Sequence, residues 1–278
     1  MSDYRQEGLL KVISDSRNWG DMIATNLYHL ITGRKPVAIP MDRCATEPHF
    51  LTVGSVLRMA DSNSIVWGTG FLTPDDGIGG LNWKRQNSEV LHKPLKICAV
   101  RGPLTRQKLH DMGFDCPEVF GDPAWLLAKF YRSTAKQKFK LGIVPHFKDR
   151  HSEVIREMRR LDGVLIIDPV CSRFSVTTHS KYMRFLNQIQ SCEYVASSSL
   201  HGLIMADAYG IPARWCITSP TAWESEFKFL DYFASIGRPN VPPLRMDRTM
   251  TVAGILKSFH RYTVCDFSEE LLGACPFN

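Results

Sequence analysis

The chain has no CxxC pair, no HExxH and no G-x-S-x-G nucleophile elbow, and its nine histidines form no ligand pattern with the cysteines or carboxylates. Those absences count against a zinc ribbon, zinc-dependent hydrolysis and a serine-hydrolase centre. No apolar run approaches the roughly 18 residues needed to span a bilayer. The opening residues, Met1-Ser2-Asp3-Tyr4-Arg5-Gln6-Glu7, lack a charged-then-apolar signal pattern. A cytoplasmic protein with no membrane-spanning segment is therefore expected. The net charge of +6 is spread along the chain without a dense basic run, so no nucleic-acid partner is expected. Internal repeats, low-complexity tracts and heptads are also lacking.

What is present is enough apolar material for a full core: 44% apolar and 22% charged residues over 278 positions, which suits one large domain or two moderate ones. The eight cysteines are scattered, several inside apolar runs such as Lys96-Ile97-Cys98-Ala99-Val100, as expected of reduced, packed thiols.

Short apolar runs alternate with stretches of helical periodicity. Residues 53–57, 65–67 and 95–100 read as buried strands, and 21–31 and 103–112 as helices. The alternation restarts with strands over 141–144, 164–167, 194–196 and 213–217 and helices over 151–161, 181–190 and 201–209. Strands separated by helices of this length imply an α/β fold of two doubly wound, Rossmann-like parallel sheets. The polar stretch 131–138 is the linker expected between a first domain, 1–135, and a second, 136–278. Ligands then belong in the cleft where the carboxyl ends of both sets of strands face each other.

The turn that carries most chemistry is Ser197-Ser198-Ser199-Leu200-His201-Gly202, between a strand and a helix. It offers hydroxyls and free N–H groups at a positive helix end, a setting suited to phosphate or carboxylate. His201 there can act as a general acid or base, or serve as a helix-start residue behind capping serines. In the first half, Arg101-Gly102-Pro103 follows a strand, and Arg101 is expected to reach into the cleft and grip an anion. Asn18-Trp19-Gly20-Asp21 opens the first helix, and Trp67-Gly68-Thr69-Gly70-Phe71 ends a strand. His146 stands just past the end of the 141–144 strand, and Lys228 and Arg238 flank an aromatic segment. Each of these alone is equally consistent with a tight turn, a surface ion pair or a strand-end hydrogen bond.

In this order, Asn18-Trp19-Gly20-Asp21, Val66 to Phe71, Val100-Arg101-Gly102-Pro103, Gly121-Asp122-Pro123-Ala124, Ile143-Val144-Pro145-His146 and Ser197 to Gly202 resemble the polysaccharide pyruvyl transferases across nearly the whole chain. The late Phe227-Lys228-Phe229-Leu230-Asp231-Tyr232 and Gly237-Arg238 look similar to the succinoglycan and xanthan branch. The resemblance implies a GT-B-like pair of Rossmann domains whose C-terminal helices pack back on the first. It implies phosphoenolpyruvate as co-substrate, no metal or other cofactor, and a sugar acceptor, often on a lipid-linked oligosaccharide at the inner face of the membrane. On this reading His201 and Arg101 are catalytic. Ser197, Ser198, Ser199, Leu200, Gly202, His146, Lys228 and Arg238 meet the donor, and Asn18, Gly20, Asp21, Gly68 and Gly70 face the acceptor. Many members carry an arginine directly before the Leu-His pair, where this chain has Ser199, so other cations, Arg101, Arg106, Lys228 or Arg238, are expected to hold the donor. The competing readings are a GT-B glycosyltransferase using a nucleotide sugar and a sugar-phosphate binding protein without turnover.

Overall fold

The computed structural model describes residues 9–12, 18–40, 46–78, 93–134, 136–170, 178–219, 225–238 and 242–277. The first half contains strands β1 (Leu9–Val12), β2 (Val37–Pro40), β3 (His49–Leu51), β4 (Ser64–Trp67) and β5 (Lys96–Ala99), with helices α1 (Trp19–Thr32) and α2 (Pro103–Asp111). A 3-10 turn at Pro123–Leu126 and the short helix α3 (Leu127–Phe130) lead out of it. The second half runs β6 (Phe139–Val144), α4 (Glu153–Met158), β7 (Val164–Ile166), α5 (Thr178–Gln190), β8 (Cys192–Ser197), α6 (Leu200–Ala208), β9 (Ala213–Ile217), α7 (Phe227–Ser235) and β10 (Leu244–Arg245), followed by α8 (Val252–Leu256) and α9 (Ser268–Gly273).

Among the described residues all strand pairings are parallel, in two five-stranded sheets ordered β2-β1-β3-β4-β5 and β7-β6-β8-β9-β10. Counted from its own first strand, each sheet has the order 2-1-3-4-5. Such a sheet changes winding direction between its first and third strands, and a crevice opens at their carboxyl ends. In the second sheet those ends are Val144 of β6 and Ser197 of β8, which lie opposite each other in the ladder. The central strands are covered on both faces: His49–Leu51, Ser64–Trp67 and the last four residues of β6 are all buried.

Residues 53–57 do not form the expected strand. The strand lies earlier, at β3, and Gly54, with φ of +100°, turns the chain into a buried loop and a 3-10 turn at Leu57–Met59. Val56 and Leu57 are core residues there, and a short apolar run cannot distinguish buried strand from buried loop. β1, β2 and β10 were not anticipated. β2 is an edge strand that exposes Val37 and ends at Pro40, and β10 is only two residues long.

The end of the chain returns to the first sheet. Trp67 Nε1 donates to the Leu271 carbonyl at 2.9 Å, Phe267 lies 5.0 Å from Trp125 by ring centroids, and Phe277 packs edge-on against Tyr28, Phe50 and Trp67.

A buried ion pair ties α7 to the first half. Asp231 accepts from Arg101 Nε at 3.0 Å, from the Thr105 N–H at 2.9 Å and from the Thr105 hydroxyl at 2.6 Å. Arg101 also donates to Ser55 Oγ at 2.7 Å and to the Phe71 carbonyl at 2.6 Å, and both charged side chains are fully buried. Removing one partner of such a pair strands the other charge in a dry interior, which costs about 3–5 kcal/mol. Asp231→Ala is expected to lower the urea unfolding free energy by about that amount; an unchanged midpoint would contradict the assignment.

Candidate active site

The site is built where the starts of α1 and α6 meet. On the second-half side, β8 ends at Ser197, whose buried Oγ accepts from the Ser199 N–H at 3.0 Å and lies 2.7 Å from the Ser199 carbonyl and 3.3 Å from that of Val144. Ser197 thus shapes the turn, and Gly202 lets the first turn of α6 sit directly over it: a Cβ on Gly202 would come within 2.3 Å of Ser197 Oγ. Ser198 Oγ accepts from the His146 N–H at 2.7 Å and lies 3.3 Å from Thr218 Oγ1, which in turn donates to Asp149 at 3.4 Å. His146 and Ser198 are therefore joined at the crevice end of the second sheet. Ser199 occupies the N-cap of α6 without a side-chain cap hydrogen bond, and Leu200 is a core residue.

On the first-half side, α1 is anchored through contacts with the second half. The Trp19 N–H donates to the Pro169 carbonyl at 2.7 Å, its indole N–H to the Tyr182 carbonyl at 3.3 Å, and its ring stacks on Phe185 at 4.6 Å. Asn18 forms an antiparallel bridge with Val170. These contacts press Gly20 against the imidazole of His201: a Cβ at position 20 would lie 1.9 Å from Nδ1. Only glycine fits there.

His201 is 7% exposed, and its Nε2 points at Asp122 Oδ2 across 3.7 Å. That separation is beyond a hydrogen bond, and neither buried atom has another hydrogen-bond partner. The other oxygen of Asp122 accepts from the Ala124 N–H at 3.0 Å and caps the 3-10 turn. Burial holds the pKa of His201 below its ordinary 6.5. The charges of Asp122 and Asp21 oppose the shift, and those of Lys228 and Arg101 reinforce it. At neutral pH the ring is therefore uncharged, with a carboxylate placed to stabilise it once it takes up a proton.

Lys228 is buried on α7, its ammonium 5.3 Å from the Phe229 ring centroid, and its charge is felt at His201. Arg101 does not reach into the cleft as expected, because its guanidinium is committed to Asp231, Ser55 and the Phe71 carbonyl. Arg238 is likewise built into the second half, donating to Asp207 at 3.0 Å and the Ala213 carbonyl at 2.7 Å and lying over Phe233 and Tyr262. Asp207 is six positions beyond His201 on α6, which places Arg238 about 9 Å along the helix from the site. Arg106 pairs with Glu118 and the Cys116 carbonyl.

Gly68 and Gly70 do not face an open acceptor pocket. A Cβ on Gly68 would strike the Pro123 ring at 2.3 Å, and one on Gly70 would strike the Arg101 guanidinium at 2.7 Å. The two glycines pack the loops beneath the site. Asp21, by contrast, is half-buried in the first turn of α1, close enough to influence His201.

Sequence reasoning assigned no role to Asp122 or Trp19, although both lie in recognised stretches. The available signal for Asp122 was a carboxylate beside a strand end in Gly121-Asp122-Pro123, which also reads as a plain turn cap. Three buried thiols do not compete as nucleophiles: burial pushes Cys116, Cys192 and Cys216 up to about 12. Cys44 and Cys171 lie outside the described residues. Among the described residues, no three His, Cys, Asp or Glu side chains gather as a metal site.

The family model for polysaccharide pyruvyl transferases matches residues 40–220 of the chain. An uncharacterized protein of Acanthamoeba polyphaga mimivirus is 27% identical over 243 residues, covering 85% of this chain and 77% of that protein. Succinoglycan biosynthesis protein ExoV of Rhizobium meliloti (strain 1021) is 27% identical over 201 residues, or 69% of this chain and 56% of ExoV, so the match spans little more than half of that protein. A solved structure of a Klebsiella pneumoniae protein superposes with a TM-score of 0.45 at 13% identity, covering 82% of this chain and 87% of that one.

Because the folded-state pKa of His201 is depressed, the unfolded chain binds a proton that the fold resists, and this residue's contribution to stability falls as pH drops below 6.5. Asp122→Asn removes a charge that favours the imidazolium, so the ring signal of His201, followed by NMR, is expected to titrate at lower pH than in the parent protein. An unchanged or higher titration would show that Asp122 does not act on the ring.

Proposed function

The chain belongs to the polysaccharide pyruvyl transferase family, and from that premise we propose that it moves the pyruvyl unit of phosphoenolpyruvate onto two hydroxyls of one sugar in an exopolysaccharide repeat unit. The observation that carries the mechanism is the buried His201, whose burial disfavours its charged form, facing an unpartnered oxygen of Asp122 where the two halves meet. The name of ExoV supports the choice of an exopolysaccharide acceptor.

The neutral imidazole of His201 takes the proton of the first acceptor hydroxyl, and Asp122 stabilises the imidazolium that results, as a carboxylate does behind a general-base histidine. The proton passes to the methylene carbon of phosphoenolpyruvate, which becomes a methyl group, while the acceptor oxygen bonds to C2. The C2–O bond to phosphate then breaks with its electron pair on the departing phosphate. The second hydroxyl of the same sugar adds to C2 and gives its proton to that phosphate. The balance is one phosphoenolpyruvate and one diol consumed, one ketal and one hydrogen phosphate formed. No electrons are gained or lost, so the reaction calls for no redox cofactor.

The donor's negative charge needs a cation. Lys228, buried on α7 with its charge acting on His201, is the one we assign. The N–H groups at the start of α6, after Ser199, add a positive helix end. His146 and Ser198 complete the donor side in the second half, 136–278. The start of α1, with Asn18, Gly20 and Asp21, provides the acceptor side in the first half, 1–135. An acceptor on a lipid carrier suits this division, because the sugar need only enter from the crevice.

Phosphate release from phosphoenolpyruvate should depend on added oligosaccharide. His201→Ala should retain phosphoenolpyruvate binding and lose about 10²- to 10⁴-fold in kcat. Near-normal turnover by the variant would overturn the role of His201. Release of nucleotide from a nucleotide sugar, with no phosphate from phosphoenolpyruvate, would favour the glycosyltransferase reading instead.

A further inference from the structure

Every residue from 51 to 57 is buried except Ser55, which is half-buried. The loop that carries it leaves β3 at its carboxyl end. In a sheet of order 2-1-3-4-5 the crevice opens between the carboxyl ends of the first and third strands, here β1 and β3. Ser55 therefore stands on the first-half wall beside the start of α1: a Cβ on its neighbour Gly54 would lie 4.0 Å from Asp21 Oδ1.

This serine is held on every side. The Thr69 hydroxyl donates to the Gly54 carbonyl at 2.7 Å and accepts from the Val56 N–H at 3.2 Å, so one side chain clamps the backbone before and after residue 55. The Gly70 N–H donates to the same Gly54 carbonyl at 3.2 Å. Arg101 Nη1 donates to Ser55 Oγ at 2.7 Å, and the guanidinium is itself fixed by Asp231 and the Phe71 carbonyl. The stretch from Trp67 to Phe71, whose glycines do not face the crevice, thus serves it by fixing Ser55. A guanidinium can only donate, so Ser55 Oγ is the acceptor in that contact and its own hydrogen points elsewhere. Ser55 makes no other hydrogen bond among the described residues.

We propose that the Ser55 hydroxyl binds the acceptor, donating its hydrogen to an oxygen of the bound sugar, with Arg101 and Thr69 as the positioning residues behind it. The inference deepens the pyruvyl-transfer reading and rests on it for one point, that the sugar held here is the one that receives the pyruvyl group. A neutral sugar suits the position better than an anion. The charge of Arg101 is matched by Asp231, so Ser55 brings no net positive charge to the crevice, and the Asp21 carboxylate nearby repels a second anion. Sugar hydroxyls both accept and donate, so two hydroxyls of one ring can take the Ser55 hydrogen and offer another to Asp21. A donor already fixed in place loses little freedom when the sugar arrives.

The test measures binding of methyl β-D-glucopyranoside and methyl β-D-galactopyranoside to the full chain by saturation-transfer NMR, and of phosphoenolpyruvate by calorimetry, for the parent, Ser55→Ala and Ser55→Thr. The parent should bind at least one glycoside, and Ser55→Ala should bind it about 5- to 10-fold more weakly. Ser55→Thr, which keeps the hydroxyl, should bind it nearly as well as the parent, and all three should bind phosphoenolpyruvate alike. The alanine variant also leaves Arg101 Nη1 without its acceptor, so its unfolding midpoint should fall. A serine that serves only Arg101 would show that fall with glycoside binding unchanged, and this result would overturn the inference. So would a loss confined to phosphoenolpyruvate or shared equally with it, or a parent that binds phosphoenolpyruvate but neither glycoside. A parent that binds a glycoside through Ser55 and does not bind phosphoenolpyruvate would instead overturn the pyruvyl-transfer reading and leave the Ser55 contact standing.

Discussion

The close approach of α1 to α6 sets the geometry on which the site depends. A side-chain carbon at residue 20 would overlap the His201 ring at 1.9 Å, so the helix starts can touch only because one of them begins with Trp19-Gly20. Trp19 holds that approach in register through its stack on Phe185 and its bonds to Pro169 and Tyr182, all from the second half. The Arg101–Asp231 pair fastens the halves again, between the start of α2 and α7. Two anchored contacts of this kind leave the crevice little freedom to shear, and a proton-transfer site needs that constancy of distance.

The same burial explains the electrostatics. Four charged groups act on one buried imidazole: Asp122 and Asp21 favour its charged form, Lys228 and Arg101 oppose it, and burial, the largest influence, also opposes it. The ring is uncharged at rest, yet it has an unpartnered carboxylate oxygen 3.7 Å away. Uncharged histidine beside an unsatisfied carboxylate is costly as a resting arrangement and becomes favourable when the ring takes up a proton. The missing arginine before the Leu-His pair fits this picture only if the donor's charge is met from α7 instead of from the first turn of α6.

Much of this was legible in the sequence because it is local. The strand, the serine turn and the helix from residue 192 to 208 follow from an apolar run, three small polar residues and a second apolar run, and His201 stands out within them. The alternation of strand and helix patterns likewise gives the two parallel sheets. What escaped is nonlocal. Arg101 reads as a cleft arginine until Asp231, 130 positions later, is placed beside it, and no local pattern encodes that partner. Asp122 reads as a turn cap, which one of its oxygens is. The role of the second oxygen depends on where α6 arrives. The run 53–57 has strand composition, but Gly54 bends it into a loop whose apolar residues are buried all the same.

The central claim is that this crevice joins the pyruvyl carbon of phosphoenolpyruvate to two oxygens of one sugar. Phosphoenolpyruvate labelled with carbon-13 at C2, incubated with the protein and an oligosaccharide acceptor and followed by NMR, tests it directly. The account predicts that the label moves into a quaternary ketal carbon correlated with a methyl group and with two ring positions of a single sugar. Label that stays in phosphoenolpyruvate, or appears only as free pyruvate whether or not the saccharide is present, would contradict it.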